Sequence, residues 1–454
     1  MRIGEISALE FAEQVLHRAD AQSDLEALTQ VDRSAFLASA GEADSKRASK
    51  VDLGPLHGVP FVVKDNIDVA GFSTTVGTPA LRDNRRVRDA EIVALLKAAG
   101  AIVLGKANMH ELAAGVTTTN AAFGTSRNPF NHNHVPGGSS GGTAAAVAGR
   151  LCPFGLGTDT GASNRVPAAY CGIIGFRPTT RRWSQSGLAM NCPTRDTIGP
   201  MARSMDDIRL LDTIVTGEDS SVPDIDTLRL GVPRDAFWQD LEPEVARCCE
   251  TFLQTVAKAG VTLIDVDLID MHELADRAGL PIAMAELRPA LDAYLKDAGS
   301  FVTVDDILSQ ISSPDVRDFF GAFPASIPDE EYQEALTVQR VHLQALYSSR
   351  LQDARLNGII FPTSPILPPP ISDSAEIWHN GRLHSTLWLA VRNTNPGSVA
   401  GVPGVSLPVG LSRAKLPVGI EIDGGIGGDA ALLGVAAALE AVLPANVMSE
   451  PGVG

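Results

Sequence analysis

The sequence predicts an α/β fold that carries a helical insertion, and three observations lead to this fold class. A β-branched run at 58–63 (GVPFVV), an amphipathic helical pattern at 89–100 and an apolar run at 101–104 form a strand–helix–strand unit. A glycine-serine loop then runs directly into an alanine-rich helix within 136–148. Residues 220–350 instead hold several amphipathic helical patterns and many acidic residues, so we assign them to a helical insertion or cap.

The other elements follow in chain order. Residues 7–10 (SALE) form a capping box, which predicts that the chain opens with a helix. Residues 172–180 and 195–210 continue the α/β pattern. Further strands are predicted at 228–232, 261–266, 357–362, 404–408 and 416–422, and further helices at 244–259, 283–297, 329–353 and 429–440. Residues 371–392, which carry Trp378 and Trp388, are predicted to be a polar loop whose role stays open.

Composition excludes several classes of function. The chain has 454 residues with 37 Lys+Arg and 54 Asp+Glu, a formal net charge of −17 at pH 7. This acidic balance argues against nucleic-acid binding and against anionic membranes, since both need basic patches. No stretch approaches the roughly 18 to 20 apolar residues of a membrane helix, and Glu5 and Glu10 interrupt the region where a signal peptide is apolar. Five cysteines, an odd and small number, fit a reducing compartment, so we expect a cytoplasmic protein.

Three short patterns are similar to known sites but lack a required part. His110 and Glu111 begin like a zinc-protease helix, yet Ala114 stands where the second histidine is needed. Residues 425–430 match a loose dinucleotide fingerprint, but no acidic residue follows at the end of a second strand. Residues 137–141 (GGSSG) match a nucleophile elbow, but the preceding NHNHVP segment is not the buried strand that an elbow requires. None of the three therefore predicts a site.

Three other residues form a pattern with chemical meaning. Lys64 follows the apolar strand at 58–63, so its stem starts in the interior, where loss of water lowers the proton affinity of an amine. Ser139 lies in a double-glycine loop, and Ser163 lies in a second glycine-rich loop 24 residues later. A serine hydroxyl is a poor nucleophile without a base. The combination of a desolvated lysine with two loop serines therefore predicts nucleophilic catalysis.

Longer stretches around these residues resemble the amidase signature family of serine hydrolases. The similarity extends over nearly the whole chain and is weakest in 220–350. The matching stretches are 58–67, 105–112, 136–148, 157–172, 195–200, 362–363 and 401–410. The resemblance implies one α/β/α domain over 1–454 around a large mixed sheet, with no metal and no cofactor.

The resemblance also implies a role for each residue of a Ser–cis-Ser–Lys triad. Ser163 is the nucleophile, Ser139 is the bridging serine after a cis peptide bond, and Lys64 is the base. The oxyanion hole is implied to consist of the backbone N–H groups of Thr160, Gly161, Ala162 and Ser163. Loop support is assigned to Ser140 by hydrogen bonding, and to Asp159 and Arg165 by their charge and proximity.

The nucleophile loop departs from the family pattern at two positions. The usual Gly-Gly-Ser-(Ile/Val)-Arg is here Gly-Ala-Ser-Asn-Arg at 161–165. Ala162 keeps its N–H group but restricts the backbone to negative φ. Asn164 places a polar group where an apolar one is usual. We interpret both as tuning and expect activity to be retained.

The pocket walls are expected from Ala113, Ala114 and Gly115, from 117–125 and 187–194, and from the helical insertion. Small side chains at 113–115 leave room for a bulky acyl or aryl group, and no fixed cation stands in these loops. The segments 176–179 and 195–197 are similar to family members that act on aryl amides such as mandelamide or indoleacetamide. We therefore expect a hydrolase of small neutral amides.

Three alternatives stay open at this point. Some family members cleave carbamates, including urethanes, with the same triad. The family also includes the amidase subunit of the tRNA-dependent amidotransferase, which needs a partner. A catalytically dead binding protein is the third alternative. As an independent enzyme, the chain is expected to be a monomer or a homodimer.

Overall fold

The structure is a computed structural model that describes residues 1, 4–49, 53–189, 191–323, 326–372 and 374–443. Three of the segments singled out above include residues outside this part. They are Met190 in 187–194, residues 324–325 in 220–350, and Asp373 in 371–392.

A mixed sheet of eleven strands forms the centre of the fold, in the order β1-β3-β2-β6-β8-β7-β14-β15-β11-β9-β10. Two short two-stranded sheets, β4-β5 and β12-β13, lie outside it. The strands are β1 (Leu28–Gln30), β2 (Pro60–Lys64), β3 (Ile102–Ala107), β4 (Thr119–Asn120), β5 (Gly124–Thr125), β6 (Phe154–Asp159), β7 (Ile174–Arg177), β8 (Thr197–Ala202), β9 (Arg229–Val232), β10 (Thr262–Asp265), β11 (Gly358–Pro362), β12 (Glu376–His379), β13 (Arg382–Ser385), β14 (Gly404–Leu411) and β15 (Pro417–Asp423).

Fifteen α-helices lie within the described ranges. They are α1 (Ala8–Ala21), α2 (Arg33–Ala48), α3 (Glu91–Ala98), α4 (Gly141–Ala148), α5 (Arg165–Tyr170), α6 (Met205–Thr216), α7 (Pro243–Lys258), α8 (Met271–Asp297), α9 (Val304–Ser309), α10 (Pro314–Gly321), α11 (Asp329–Glu334), α12 (Arg340–Asp353), α13 (Thr386–Val391), α14 (Asn395–Ala400) and α15 (Asp429–Glu440).

Helices cover both faces of the sheet, because successive side chains of a strand point to opposite sides. In β2, Phe61 and Val63 join the larger core cluster, which includes apolar residues of α3, α6 and α7. Val62 points the other way, into a second cluster with α1, α2 and the alanines of α4. The predicted α/β fold with a large mixed sheet and flanking helices is therefore confirmed.

Strand direction determines where the functional side chains emerge. β2 pairs in parallel with both β3 and β6, with Val63 opposite Leu156 in the latter pair. Parallel strands end at the same edge of a sheet. Lys64, at the end of β2, and Asp159, at the end of β6, therefore reach the same edge.

Several elements agree with the sequence prediction to within a few residues, and others differ from it. The capping box of α1 is present, with Ser7 and Glu10 exchanging hydrogen bonds of 2.9 and 3.0 Å. α3 begins at Glu91 rather than at Asp89, whose carboxylate instead accepts from the N–H of Ala70 and from Lys97. The helix predicted at 283–297 is the second half of the 27-residue α8.

The prediction of a polar loop at 371–392 is wrong. β12 and β13 form a hairpin there, joined by Asn380 and Gly381, and α13 follows directly. Both turn residues have positive φ, 47° and 79°, which a two-residue hairpin loop of the Asn-Gly type requires. The turn dipeptide was thus a local signal for this hairpin.

The region 220–350 is divided between the sheet and the helical layer. β9 and β10 are parallel neighbours at one edge of the central sheet. α8 packs against α12 and α14. No helix in the described ranges combines the length and the apolar character needed to cross a membrane.

Candidate active site

Lys64 and Ser139 are in direct contact, although 75 positions separate them. Lys64 Nζ donates to Ser139 Oγ at 2.7 Å and to Thr158 Oγ1 at 2.7 Å. Thr158, on β6, also accepts from Asn66 Nδ2 at 3.2 Å. The parallel pairing of β2 with β6 therefore sets the position of the amine. Thr158 is a contact that sequence reasoning missed.

Burial determines the charge of this lysine. The Lys64 side chain is fully buried, and burial lowers its pKa from 10.5 to about 7, against the opposing influence of the negative charges of Asp159 and Asp196. Lys64 is therefore able to be a neutral amine near physiological pH, which is the form that accepts a proton.

The loop before α4 is folded tightly around Ser139. The peptide bond between Gly138 and Ser139 is cis, as the resemblance implied, and the Ser139 carbonyl oxygen accepts from the His110 N–H at 3.1 Å. A Cβ at Gly138 would lie 2.8 Å from the carbonyl carbon of Val116. Only glycine therefore fits against that neighbouring backbone.

Ser140 joins the two serine loops. Its Oγ accepts from the Thr158 N–H and donates to the Thr158 carbonyl, each at 3.2 Å. Its own N–H donates to the Ser163 carbonyl at 3.3 Å. The structure thus places Ser140 where a loop-supporting residue was expected.

The second loop connects β6 to α5 and carries Ser163. The Ser163 residue is 8 % exposed and lines a cavity, whereas Ser139 is fully buried. In the described part of the chain, the N–H groups of Gly161, Ala162 and Ser163 donate to no protein acceptor. Thr160, whose hydroxyl donates to Asp196, lines the same cavity as these three residues. The loop therefore offers free N–H donors beside an accessible hydroxyl.

A buried cluster of charged side chains contacts this loop. Asp159 accepts from Arg165 through both oxygens at 3.0 Å, and from Arg177 at 3.2 Å. Arg165 also pairs with Glu421 and donates to the Gly161 carbonyl at 3.3 Å. Although burial would raise the pKa of Asp159, the two guanidinium groups hold that pKa well below its usual range. Asp159 and Arg165 are thus in contact with each other and with the loop.

The two departures from the family pattern are both buried and make contacts in the interior. The backbone of Ala162 avoids the left-handed region, and its methyl group packs in an apolar cluster with Val166 and Leu389. Asn164 Nδ2 donates to the carbonyls of Phe176 at 2.6 Å and Pro200 at 3.1 Å. The polar side chain therefore bonds to the backbone of β7 and β8 in the interior.

A cavity of about 690 Å³ opens in front of Ser163. Ala113, Ala114 and Gly115, which were expected to form a pocket wall, line it together with several residues from 220–350. Its other lining residues are Thr160, Gly161, Ala162, Arg195, His272, Ala275, Asp276, Leu280, Ala283, Met284, Phe319, Phe323, Leu387, Trp388, Val391, Arg392, Asn395 and Pro396.

Two of the expected wall segments lie elsewhere. Residues from 117–125 line an adjoining cavity of about 400 Å³. Residues from 187–194 line a separate groove along the second half of α8. Sequence reasoning missed the contribution of Arg195, of α13 and of α14, because these segments reach the cavity only through the tertiary fold.

Both cations of the cavity are bound to protein oxygens. Arg195 donates to the Gly279 carbonyl at 2.9 Å and to Asn395 at 2.6 Å. Arg392 donates to the Gln239 carbonyl at 2.6 Å. Among the described residues, no group of three or more His, Cys, Asp or Glu side chains is arranged to hold a metal ion.

Comparison with known proteins assigns the chain to a family. The family model for Amidase matches residues 10–433. The chain belongs to the amidase signature family. This amidase is 40 % identical to an indoleacetamide hydrolase of Agrobacterium vitis, over 100 % of this chain and 97 % of the relative. It is 39 % identical to a mandelamide hydrolase of Pseudomonas putida, over 98 % and 90 % of the two chains. A crystal structure of an amidase superposes with a TM-score of 0.87 at 29 % identity, over 97 % of this chain and 98 % of that one.

Proposed function

We propose that this enzyme hydrolyses the C–N bond of small neutral aryl amides through an acyl-enzyme on Ser163. The observation that carries the proposal is the buried 2.7 Å hydrogen bond between Lys64 Nζ and Ser139 Oγ. The next residue, Ser140, donates its N–H to the carbonyl of Ser163, which lines the cavity. Membership of the amidase family supports hydrolysis of C–N bonds other than peptide bonds.

The first half-reaction begins with Lys64 in its neutral form. Ser163 Oγ attacks the amide carbon while its proton passes to Ser139 Oγ, and the Ser139 proton passes to Lys64 Nζ. The carbonyl oxygen becomes an oxyanion that the N–H groups of residues 160–163 stabilise. When the tetrahedral intermediate collapses, the relay returns the proton to the leaving nitrogen. Ammonia or an amine departs, and an ester to Ser163 remains.

The second half-reaction uses the same groups with water as the nucleophile. Water attacks the ester carbon and loses a proton through Ser139 to Lys64. Collapse of the second intermediate releases the carboxylic acid, and the relayed proton restores the Ser163 hydroxyl. Because Lys64 both accepts and returns a proton in each half-reaction, its pKa must lie near the working pH.

The cavity supports an aryl substituent on the substrate. The aromatic side chains of Phe319, Phe323 and Trp388 line it, and its volume suits a bicyclic ring system. Relatives aligned over nearly the full chain are named as hydrolases of indoleacetamide and mandelamide, which are both aryl amides. These relatives favour neither carbamates nor the amidotransferase-subunit alternative.

We also propose that the enzyme works in the cytoplasm as a monomer or homodimer without a tRNA-binding partner. All five cysteines lie in the described part of the chain, buried and unpaired, which suits a reducing compartment. The acidic net charge of −17 disfavours an RNA-binding surface.

The test compares ammonia release from phenylacetamide by the wild type and by Ser163→Ala. We expect the substitution to lower kcat by several orders of magnitude and to leave the fold intact. Ser309→Ala is the matched control, because Ser309 is exposed and its hydroxyl donates only to the Asp306 carbonyl. Turnover near the wild-type rate in Ser163→Ala would overturn the proposal.

A further inference from the structure

Asp276 presents a carboxylate to the catalytic cavity without a protein partner. It lies on α8, whose residues His272, Ala275, Leu280 and Met284 line the cavity at helical spacing. In the described part of the chain, Asp276 accepts no hydrogen bond and lies within 4 Å of no cationic nitrogen. Its oxygens are therefore free to meet a ligand.

No other ionisable side chain described in the cavity balances the negative charge of Asp276. Arg195 and Arg392 bond to the oxygens of Asn395 and to backbone carbonyls, as described above. Burial lowers the pKa of His272 to about 4, so this imidazole is neutral at pH 7. Nearby protein atoms partly desolvate Asp276 and raise its pKa, with no cation to oppose the shift.

The surroundings of Asp276 determine what kind of group it suits. Phe319, Phe323 and Trp388 form an aromatic wall of the same cavity, which favours a flat ring. Asp276 is exposed in the free enzyme, so water solvates its carboxylate there. A substrate ring that displaces this water leaves the carboxylate poorly solvated unless the ring supplies a donor of its own. A substrate that combines an aromatic ring with an N–H or O–H group satisfies both features.

We propose that Asp276 accepts a hydrogen bond from an N–H or O–H group on the aryl part of the substrate and thereby selects donor-bearing aryl amides. The inference rests on the proposed amidase function and adds a specificity-determining residue to it. Asp276 takes no part in the proton relay of Lys64, Ser139 and Ser163.

The experiment uses a pair of isosteric substrates, indole-3-acetamide and benzofuran-3-acetamide. The first has a ring N–H donor at the position where the second has a ring oxygen. We expect the wild type to prefer the indole by about tenfold or more in kcat/KM, because a site built to accept a donor rejects an analogue without one. In Asp276→Ala we expect this ratio to fall to about 1. Asp276→Asn has nearly the same shape and retains a neutral acceptor, so we expect an intermediate ratio.

Asp292→Asn is the matched control on the same helix. Its side chain is about half exposed and pairs with Lys296 one turn away. We expect this variant to keep the wild-type ratio. Circular dichroism of Asp276→Ala and Asp276→Asn checks that α8 is intact in both.

Each outcome distinguishes Asp276 from the triad. Equal rates on the two substrates in the wild type, or a wild-type ratio in both Asp276 variants, would overturn the inference. A drop in both rates by one common factor would assign Asp276 a structural role and would overturn it as well. If Ser163→Ala still hydrolyses both substrates, the proposed function itself fails, whatever ratio the Asp276 variants give.

Discussion

The rate of hydrolysis should depend on pH through the protonation of Lys64. Burial places its pKa at about 7 rather than 10.5, and only the neutral amine accepts the proton from Ser139. With this pKa, about 1 % of the enzyme is active at pH 5 and about 90 % at pH 8. An ordinary lysine would be neutral in only about 0.03 % of molecules at pH 7. At pH 7 the buried position therefore supplies a factor of about 1,600 in available base.

The assay is kcat/KM for phenylacetamide between pH 5 and pH 9, measured by ammonia release. We expect a tenfold rise per pH unit below about 7 and a plateau above it. Asp196→Asn should move the rising limb to lower pH, since the negative charge of Asp196 raises the pKa of Lys64. A flat profile, or a limb with its midpoint above pH 9, would refute the assignment of Lys64 as the base.

The same pKa predicts how stability varies with pH. Between pH 7 and 10.5, Lys64 is neutral in the native state and protonated in the unfolded state. Unfolding then takes up a proton, so the free energy of unfolding rises with pH across this window. Relative to Lys64→Met, the wild type should gain about 3 to 4 kcal/mol between pH 7 and pH 10. Urea titrations of both proteins measure this difference, and parallel pH curves would contradict the buried, neutral lysine.

Three further substitutions test the supporting contacts. Arg165→Met leaves Asp159 and Glu421 without the cation that they share. The free energy of unfolding, measured with urea, should therefore fall by about 3 to 5 kcal/mol. A fall below about 1 kcal/mol would contradict the role of the cluster. Ala162→Gly should keep kcat within about tenfold, because the alanine already avoids positive φ; a much larger fall in steady-state rate would show that the methyl group matters to catalysis. Gly115→Ala places a Cβ 2.1 Å from His110 Nε2. The free energy of unfolding, measured by thermal unfolding, should therefore fall by about 1 to 3 kcal/mol. An unchanged melting temperature would contradict the close packing at this position.

Local sequence patterns were sufficient for the elements that build the catalytic edge. The β-branched run at 58–63 predicts a buried strand, and β2 ends at Lys64 as expected. The glycine-serine loop predicts entry into a helix, and α4 begins at Gly141. These predictions succeed because strand propensity and loop composition are properties of a few neighbouring residues.

The cavity could not be predicted in the same way. Arg195, Asp276 and Trp388 come from three distant segments, the turn before β8, α8 and α13, and meet only through the tertiary fold. The partners of Asn164 are likewise backbone carbonyls of other strands. Such positions depend on long-range contacts, for which one sequence carries no local pattern. The hairpin at 376–385 differs, since its Asn-Gly turn was a readable signal that the polar composition obscured.

Mass spectrometry of the trapped acyl-enzyme tests the central claim most directly. The enzyme is mixed with p-nitrophenyl phenylacetate, quenched in acid within milliseconds and digested. We expect a phenylacetyl adduct on the peptide that contains Ser163, and no adduct on that peptide in Ser163→Ala. An adduct on Ser139 instead, or turnover without any covalent intermediate, would contradict the assignment of Ser163 as the nucleophile.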